Sequence, residues 1–185
     1  MSEYFVRHGQ TDWNLEHKIQ GRIDIELNDF GRKQALETQE RLKDIIFDAI
    51  FYSPLIRAKE TAEIIAESHK DTPLIMADEL IERNFGEYEG KHNNGDYYGL
   101  WQYDNDDTPN GETPKDLEAR IFPFLDRIRR EYKDKNILLV AHGGVGLIIE
   151  SYYNGVPESR DLLEYGSVNG ELKIYDIENK IDRIK

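Results

Sequence analysis

The sequence predicts an α/β protein, a three-layer α/β/α sandwich around a mainly parallel mixed sheet. Strand-like and helix-like segments alternate along the chain, which is typical of parallel sheets covered by helices. The strand-like runs are short and continuously apolar, as expected for strands buried on both faces, and NILLVA at 136–141 is the clearest of them. We find no internal repeat, linker or second-domain boundary, so we expect one domain spanning 1–185.

The first half of the chain predicts strands and helices in alternation, at 4–6, 29–44, 49–52 and 55–67. Between the first strand and the first helix, 11–26 is polar and irregular. Asn28 is a residue type that caps helix N-termini, which places the start of the first helix. Ser53 and Pro54 predict the start of the second helix, with serine as the cap and proline in the first turn, where its missing N–H costs nothing.

The second half predicts strands at 74–76, 136–141 and 171–177, and helices from 113 onwards and at 145–153. Thr113 and Pro114 repeat the cap-and-proline pattern. The apolar residues that follow at helical spacing are Leu117, Ile121, Phe124, Leu125 and Ile128. Pro123 lies inside this helix and is expected to kink it. The segment at 171–177 alternates in polarity like a partly exposed edge strand.

A long insertion at about 84–114 interrupts the pattern, and we expect it to lie over the functional site. Loops of this length in compact domains are usually lids, binding segments or disordered. The insertion has one cation, Lys91, against seven carboxylates: Glu87, Glu89, Asp96, Asp104, Asp106, Asp107 and Glu112. Its aromatic residues are Phe85, Tyr88, Tyr97, Tyr98, Trp101 and Tyr103.

Composition excludes several classes of function. The chain has 185 residues, a formal charge of −13 and no cysteine. No apolar run approaches the roughly 20 residues of a membrane span, and the first residues lack the basic and apolar parts of a signal peptide, so we expect a cytoplasmic protein. The negative charge argues against nucleic-acid or anionic-membrane binding. Without cysteine there are no disulfides, thiolate zinc sites or cysteine nucleophiles.

Cationic and imidazole side chains follow three of the predicted strands. Arg7 and His8 come after the first strand, Arg57 soon after the second, and His142 after the most apolar one. Parallel strands place these ends at one edge of the sheet, so the four side chains can converge. Backbone N–H groups at the starts of the following helices, including the one at Gly143, favour an anion. Such a pocket is suited to a phosphate.

Five separated blocks of the sequence form a recognisable set: RHGQTDWN at 7–14, QG at 20–21, SPLIRAKETA at 53–62, ELIERNFGEYEG at 79–90 and AHGG at 141–144. Together these blocks resemble the histidine phosphatase superfamily, in its phosphoglycerate mutase-like branch. They cover nearly the whole chain in the right order, and together they are far more specific than any one of them. The resemblance implies phosphoryl transfer through a phosphohistidine.

The resemblance also implies roles for individual residues. The nucleophile that becomes phosphohistidine is His8, and the acid that protonates the leaving group is Glu82. The side chains that hold the phosphoryl group are Arg7, Arg57 and His142. The residues that line the phosphate and substrate side of the pocket are Asn14, Gln20 and Gly21.

These residue types can act without a metal or another cofactor. A neutral imidazole is a competent nucleophile near pH 7 when a hydrogen bond orients its other nitrogen. The guanidinium groups of arginine can donate paired hydrogen bonds to the phosphoryl oxygens, over which negative charge spreads. We expect His142 to be protonated and Glu82 to be kept protonated until needed. The remaining histidines, His17, His69 and His92, have no metal-ligand spacing, and we expect the first two at the surface.

The composition of the insertion indicates which kind of leaving group the site accepts. Phosphoglycerate mutases of this family usually have histidine where Asn84 stands and several basic residues in the insertion. The acidic, aromatic insertion here is better suited to a sugar, nucleoside or other weakly charged leaving group, although the aromatics could equally serve only to tie the loop to the domain.

We therefore expect a metal-independent phosphatase that hydrolyses small-molecule phosphate monoesters and whose partner is a small phosphorylated metabolite. A cofactor-dependent phosphoglycerate mutase and a non-catalytic phospho-ligand-binding module stay as alternatives. Homo-oligomerisation stays open.

Overall fold

The computed structural model describes residues 2–93, 95, 98–166 and 168–176, and its centre is a five-stranded sheet. The strands are β1 (Ser2–Arg7), β2 (Ala49–Tyr52), β3 (Leu74–Met76), β4 (Ile137–Ala141) and β5 (Leu172–Asp176). Their order across the sheet is β3-β2-β4-β1-β5, and only the pairing of β5 with β1 is antiparallel. The mainly parallel mixed sheet and its late edge strand are confirmed; Ile177, at the end of that predicted strand, lies outside the described residues.

Helices cover both faces of the sheet, which confirms the three-layer architecture. The α-helices are α1 (Asp12–Leu15), α2 (Asp29–Leu42), α3 (Ile56–Ala66), α4 (Pro114–Glu131) and α5 (Gly143–Asn154), and the four longer ones form these layers. Successive strand residues point to opposite faces. In β4, Leu139 packs in a core with α4 and α5, whereas Leu138 packs in a second core with α2 and α3. The continuously apolar strands therefore serve two cores.

The register of the sheet aligns the ends of three strands. Arg7 pairs with Ala141, and Tyr52 pairs with Val140. The chain leaves β1, β2 and β4 at the same edge, so the residues that follow these strands meet there. This register therefore brings the predicted site residues to one edge of the sheet.

Two of the three predicted helix caps are confirmed and one is wrong. Asn28 accepts a hydrogen bond from the Gly31 amide at 2.8 Å, and Thr113 forms a capping box with Asp116 at the start of α4, which continues across Pro123. Ser53 does not cap α3: the cap position is Leu55, which makes no side-chain cap bond. The reason is a competing partner for the Ser53 hydroxyl, described below.

Other differences are local. The segment predicted to be irregular contains the one-turn α1, capped by Thr11, and α5 begins at Gly143, two residues before its predicted start. His69 was expected at the surface but is 8% exposed, because its ring packs edge to face on Phe47 at 5.1 Å. Among the described helices, none has the length and apolar character that crossing a membrane requires.

The insertion at 84–114 forms short 3₁₀ turns at Gly86–Tyr88 and Tyr98–Trp101. It is tied to the segment after α1 by backbone hydrogen bonds, including Asn93 to His17 at 2.6 Å. Asp96 and Tyr97, counted above among the residues of the insertion, lie outside the described part of the chain.

Candidate active site

His8 lies one residue beyond β1, and its position fixes which ring nitrogen carries the proton. Nδ1 is 2.7 Å from the carbonyl oxygen of Gly9. A carbonyl only accepts, so Nδ1 is the protonated nitrogen and Nε2 keeps its lone pair. Burial, followed by the charges of Arg57 and Arg7, holds the pKa of His8 well below the ordinary value of 6.5. His8 is therefore a neutral imidazole in this site.

Arg57, in the first turn of α3, lies beside that lone pair. Its Nε is 3.3 Å from Nε2 of His8, and its two Nη atoms donate to the carbonyl oxygens of Ile23 (2.9 Å) and Gly21 (2.7 Å). Burial lowers the pKa of Arg57 to about 10, which leaves it cationic at neutral pH. The guanidinium is thus a fixed positive charge next to the proposed nucleophile.

Arg7, the last residue of β1, is the second cation in the lining of the pocket. Burial lowers its pKa, and the nearby charge of Glu82 opposes that shift. A β-carbon at Gly143 would lie only 3.2 Å from Cζ of Arg7. Glycine at the start of α5 therefore lets the guanidinium lie against the backbone.

His142 is buried behind the pocket lining rather than exposed in it. Its Nε2 is 2.6 Å from Oγ of Ser53, and its ring centroid is 5.2 Å from that of His8. Nδ1 has no hydrogen-bond partner among the described residues. Burial, followed by the charge of Arg57 and then that of Arg7, holds the pKa of His142 well below 6.5. The expectation of a protonated His142 is therefore wrong for these surroundings, because burial and two neighbouring arginines disfavour a third cation.

Glu82 lines the pocket between the insertion and the start of α5. Its Oε1 accepts from the amide of Arg83 at 2.7 Å, and its Oε2 accepts from the amide of Gly144 at 3.1 Å. A β-carbon at Gly144 would come within 2.6 Å of Oε1, so this approach depends on glycine. One of the helix-start amides expected to face an anion is thus engaged by Glu82.

The other predicted residues, Asn14, Gln20 and Gly21, also line the pocket. Asn14 Oδ1 accepts from the amide of Thr11 at 3.1 Å, and Gln20 Oε1 accepts from the Thr11 hydroxyl at 3.0 Å. Gly21 contributes a carbonyl to the guanidinium described above, and its φ of +53° is one that glycine adopts without strain.

The pocket has a volume of about 470 Å³, and much of its lining is uncharged. The apolar wall, as we call it, consists of Ile19, Phe85, Leu100 and Trp101, which pack together. Three more apolar residues in the lining are Leu147, Leu163 and Val168. Polar side chains in the lining that were not predicted are His17, Lys18, Asn93 and Asn169. Within the described residues, no group of three or more histidines and carboxylates could hold a metal ion.

Sequence reasoning missed two kinds of supporting residue. Thr61 accepts from the amide of Gly9 at 3.2 Å and donates to the carbonyl of Arg57 at 2.7 Å. Ser53 supports His142. Both residues lie in the SPLIRAKETA block, so the sequence could have indicated them. Asn169 donates to the carbonyl of His8 at 3.1 Å from 161 residues away, and no local pattern indicates that contact.

Comparison with known proteins gives concordant results. A family model for the histidine phosphatase superfamily (branch 1) matches residues 4–184. The uncharacterized phosphatase PhoE of Bacillus subtilis is 36% identical over 186 residues, which are 95% of this chain and 94% of that protein. A 2,3-bisphosphoglycerate-dependent phosphoglycerate mutase of Cytophaga hutchinsonii is 32% identical over 189 residues, 96% of this chain and 88% of that one.

Among solved structures, a mycobacterial glucosyl-3-phosphoglycerate phosphatase in complex with VO3 superimposes with a TM-score of 0.82 and 27% identity, over 94% of this chain and 90% of the other. The residues matched by the family model include all five blocks quoted above. The chain belongs to the histidine phosphatase superfamily, in branch 1.

Proposed function

We propose that this protein is a phosphatase that hydrolyses small phosphate monoesters in two steps through a phosphohistidine at His8, without a metal ion. The observation that carries the proposal is the state of His8: a buried, neutral imidazole whose Nε2 lone pair lies 3.3 Å from a fixed guanidinium nitrogen. A neutral imidazole is the nucleophilic form, and the guanidinium stabilises charge on the phosphoryl oxygens.

In the first step, Nε2 of His8 forms a bond to phosphorus while the bond from phosphorus to the ester oxygen breaks. The bonding electrons leave with that oxygen, which takes a proton from Glu82. Arg7 and Arg57 stabilise the phosphoryl oxygens in the transition state. In the second step, water attacks phosphorus and gives a proton to Glu82, and the N–P electrons return to His8. Inorganic phosphate leaves, and both groups regain their starting states.

The lining supports an uncharged leaving group. Lys91 and Arg83, the cations that could have held a substrate carboxylate, do not line the pocket. Lys18 does, but its Nζ forms an ion pair with Glu16 at 2.6 Å. We therefore propose sugar-like, nucleoside-like or aromatic alcohols as leaving groups. The mutase relative keeps phosphoglycerate mutase as the second candidate, and efficient interconversion of 2- and 3-phosphoglycerate primed by a bisphosphate would favour it.

Phosphate release from a panel of monoesters tests the proposal. We expect turnover that survives exhaustive EDTA treatment and is blocked by vanadate, a mimic of the five-coordinate phosphoryl group. Acid quenching should trap a phosphoenzyme in the wild type and none in His8→Ala. Loss of activity in EDTA with rescue by a divalent cation would refute the metal-free mechanism. Binding of phosphate esters without any turnover would indicate the non-catalytic module instead.

A cytoplasmic location stays a prediction, and homo-oligomerisation stays open. The first is supported by a sequence without cysteine. Fractionation of the cell and the hydrodynamic mass of the purified protein test them directly.

A further inference from the structure

Arg83 follows the proposed acid Glu82 but has a different environment. Its side chain is fully buried, with an exposed fraction of 0%, and it does not contribute to the pocket lining. Burial lowers its pKa to about 10, so it stays charged at neutral pH. A buried cation is costly unless its donors are satisfied, so the partners of this guanidinium indicate what it does.

Those partners lie at three points of the insertion. Nε donates to the carbonyl oxygen of Glu112 at 2.7 Å, Nη1 to the carbonyl oxygen of Leu100, and Nη2 to the hydroxyl of Thr108 at 2.9 Å. These residues are 29, 17 and 25 positions further along the chain. Arg83 immediately precedes the insertion, so its side chain joins the start of the insertion to its middle and to its C-terminal part.

Arg83 also lies against the aromatic members of the apolar wall. Its Cζ is 5.0 Å from the ring centroid of Phe85 and 5.2 Å from that of Trp101. The two rings pack edge to face on each other at 5.3 Å. With the bond to Leu100, Arg83 touches three of the four residues that form the wall, from the side that does not face the pocket.

From these contacts we infer that Arg83 is a positioning residue: it fixes the apolar wall, and through the wall it sets a preference for leaving groups with an apolar body. The inference rests on the proposed phosphatase function. It differs from a role in chemistry, because the guanidinium touches neither the proposed nucleophile nor the pocket interior.

Two substrates with the same reacting centre test it. Propyl phosphate and 3-phenylpropyl phosphate both release a primary alcohol and differ by one phenyl ring, so the demand for a general acid is matched. In the wild type, kcat/KM should favour the phenylpropyl ester. Arg83→Lys keeps the charge but loses the three-point fork. We expect it to lower the phenylpropyl to propyl ratio about tenfold, mainly through KM, while kcat for propyl phosphate changes little.

A substitution in the apolar wall itself gives a second test. Trp101→Leu should lower the same ratio, and the double variant Arg83→Lys, Trp101→Leu should lose little more than either single variant, because both changes act on one surface. Arg120→Lys is the matched control. Arg120 donates to the Glu82 carbonyl and the Glu112 carboxylate and has no described hydrogen bond to a wall residue. The phenylpropyl to propyl ratio of kcat/KM should therefore be unchanged in that variant.

A readout independent of activity separates this inference from the proposed function. The protein has two tryptophans, Trp13 and Trp101, so in a Trp13→Phe background the emission reports Trp101 alone. Acrylamide should quench it more strongly after Arg83→Lys. If that variant does not fold, Thr108→Val removes only one acceptor and should show a smaller change of the same sign.

Several outcomes would overturn the inference. They are a wild type without preference for the phenylpropyl ester, an unchanged ratio and unchanged quenching in both variants, and fully additive effects in the double variant. A wild type that releases phosphate from neither ester, in contrast, refutes the phosphatase proposal, and the quenching result then still reports whether Arg83 fixes the wall.

Discussion

Replacing Glu82 with glutamine tests the proposed acid, and the structure shows that this change is not conservative. Both carboxylate oxygens accept from backbone N–H groups, those of Arg83 and Gly144. Glutamine has one carbonyl oxygen, so its NH2 group must face one of these donors. An unsatisfied buried polar group costs about 1–3 kcal/mol, and we expect the free energy of unfolding to fall by about that amount. A lower absolute rate would therefore not identify an acid.

The leaving group separates the two effects. A general acid contributes about 10²–10⁴-fold, or roughly 3–5 kcal/mol, when the departing oxygen needs a proton. The alkoxide of propyl phosphate has that need, whereas nitrophenolate departs as a stable anion. Local distortion slows both substrates alike. The ratio of the propyl rate to the p-nitrophenyl rate should therefore fall by about 10²-fold or more in Glu82→Gln.

The assay is single-turnover formation of phosphoenzyme with each substrate. Steady-state rates would mislead, because the same carboxylate is proposed to accept the proton of water in the second step. Arg57→Ala is the contrast, since loss of charge stabilisation should slow both substrates to a similar degree. Equal losses for the two substrates in Glu82→Gln would refute the assignment, and the proton donor would have to be another group.

Three further predictions concern protonation and burial. Ser53→Ala removes the 2.6 Å partner of a buried imidazole, so urea denaturation should show a loss of about 1–3 kcal/mol, and unchanged stability would contradict the contact. Because the pKa of His8 lies well below 6.5, kcat/KM for p-nitrophenyl phosphate, whose leaving group needs no proton from Glu82, should stay level from pH 8 to about pH 6 after correction for substrate ionisation; a fall centred on 6.5 would contradict this. Burial raises the pKa of Glu3 from 4.5 to about 7, so the unfolded chain loses this proton first and stability should fall by about 3 kcal/mol as pH rises between those values. Glu3→Gln should remove that slope in urea unfolding, and the exposed Glu67→Gln should leave it unchanged.

The sheet and the core of the site were predictable because both follow from short-range pattern. The continuously apolar run at 137–141 requires helices on both faces, and parallel pairing then forces the ends of β1, β2 and β4 to one edge. Arg7, His8 and Arg57 follow from that geometry alone. The five blocks added Glu82, which no periodicity distinguishes from the other glutamates.

The remaining features depend on long-range contacts. Ser53 carries a good local signal for a helix cap, but its hydroxyl bonds to His142, 89 residues away. Leaving the buried imidazole without that partner would cost more folding stability than leaving the helix without a side-chain cap. The tertiary contact therefore outweighs the local preference. The insertion shows the same principle, since the buried guanidinium of Arg83 bonds to three residues of the insertion that lie far from it in sequence.

The protonation of His142 depends on the charges beside its ring. Burial removes the water that would stabilise a charged ring, and Arg57 and Arg7 repel a third positive charge. The two negative charges of a bound phosphoryl dianion would offset those two positive charges. Two unit charges 4 Å apart interact by about 4 kcal/mol at an effective dielectric constant near 20, so a dianion has ample energy to favour protonation of a neighbouring imidazole. The third cation expected from the residue types is then favoured once a phosphoryl group binds. Such coupling supplies positive charge beside the bound phosphoryl group, where its negative charge offsets the cost of a third buried cation.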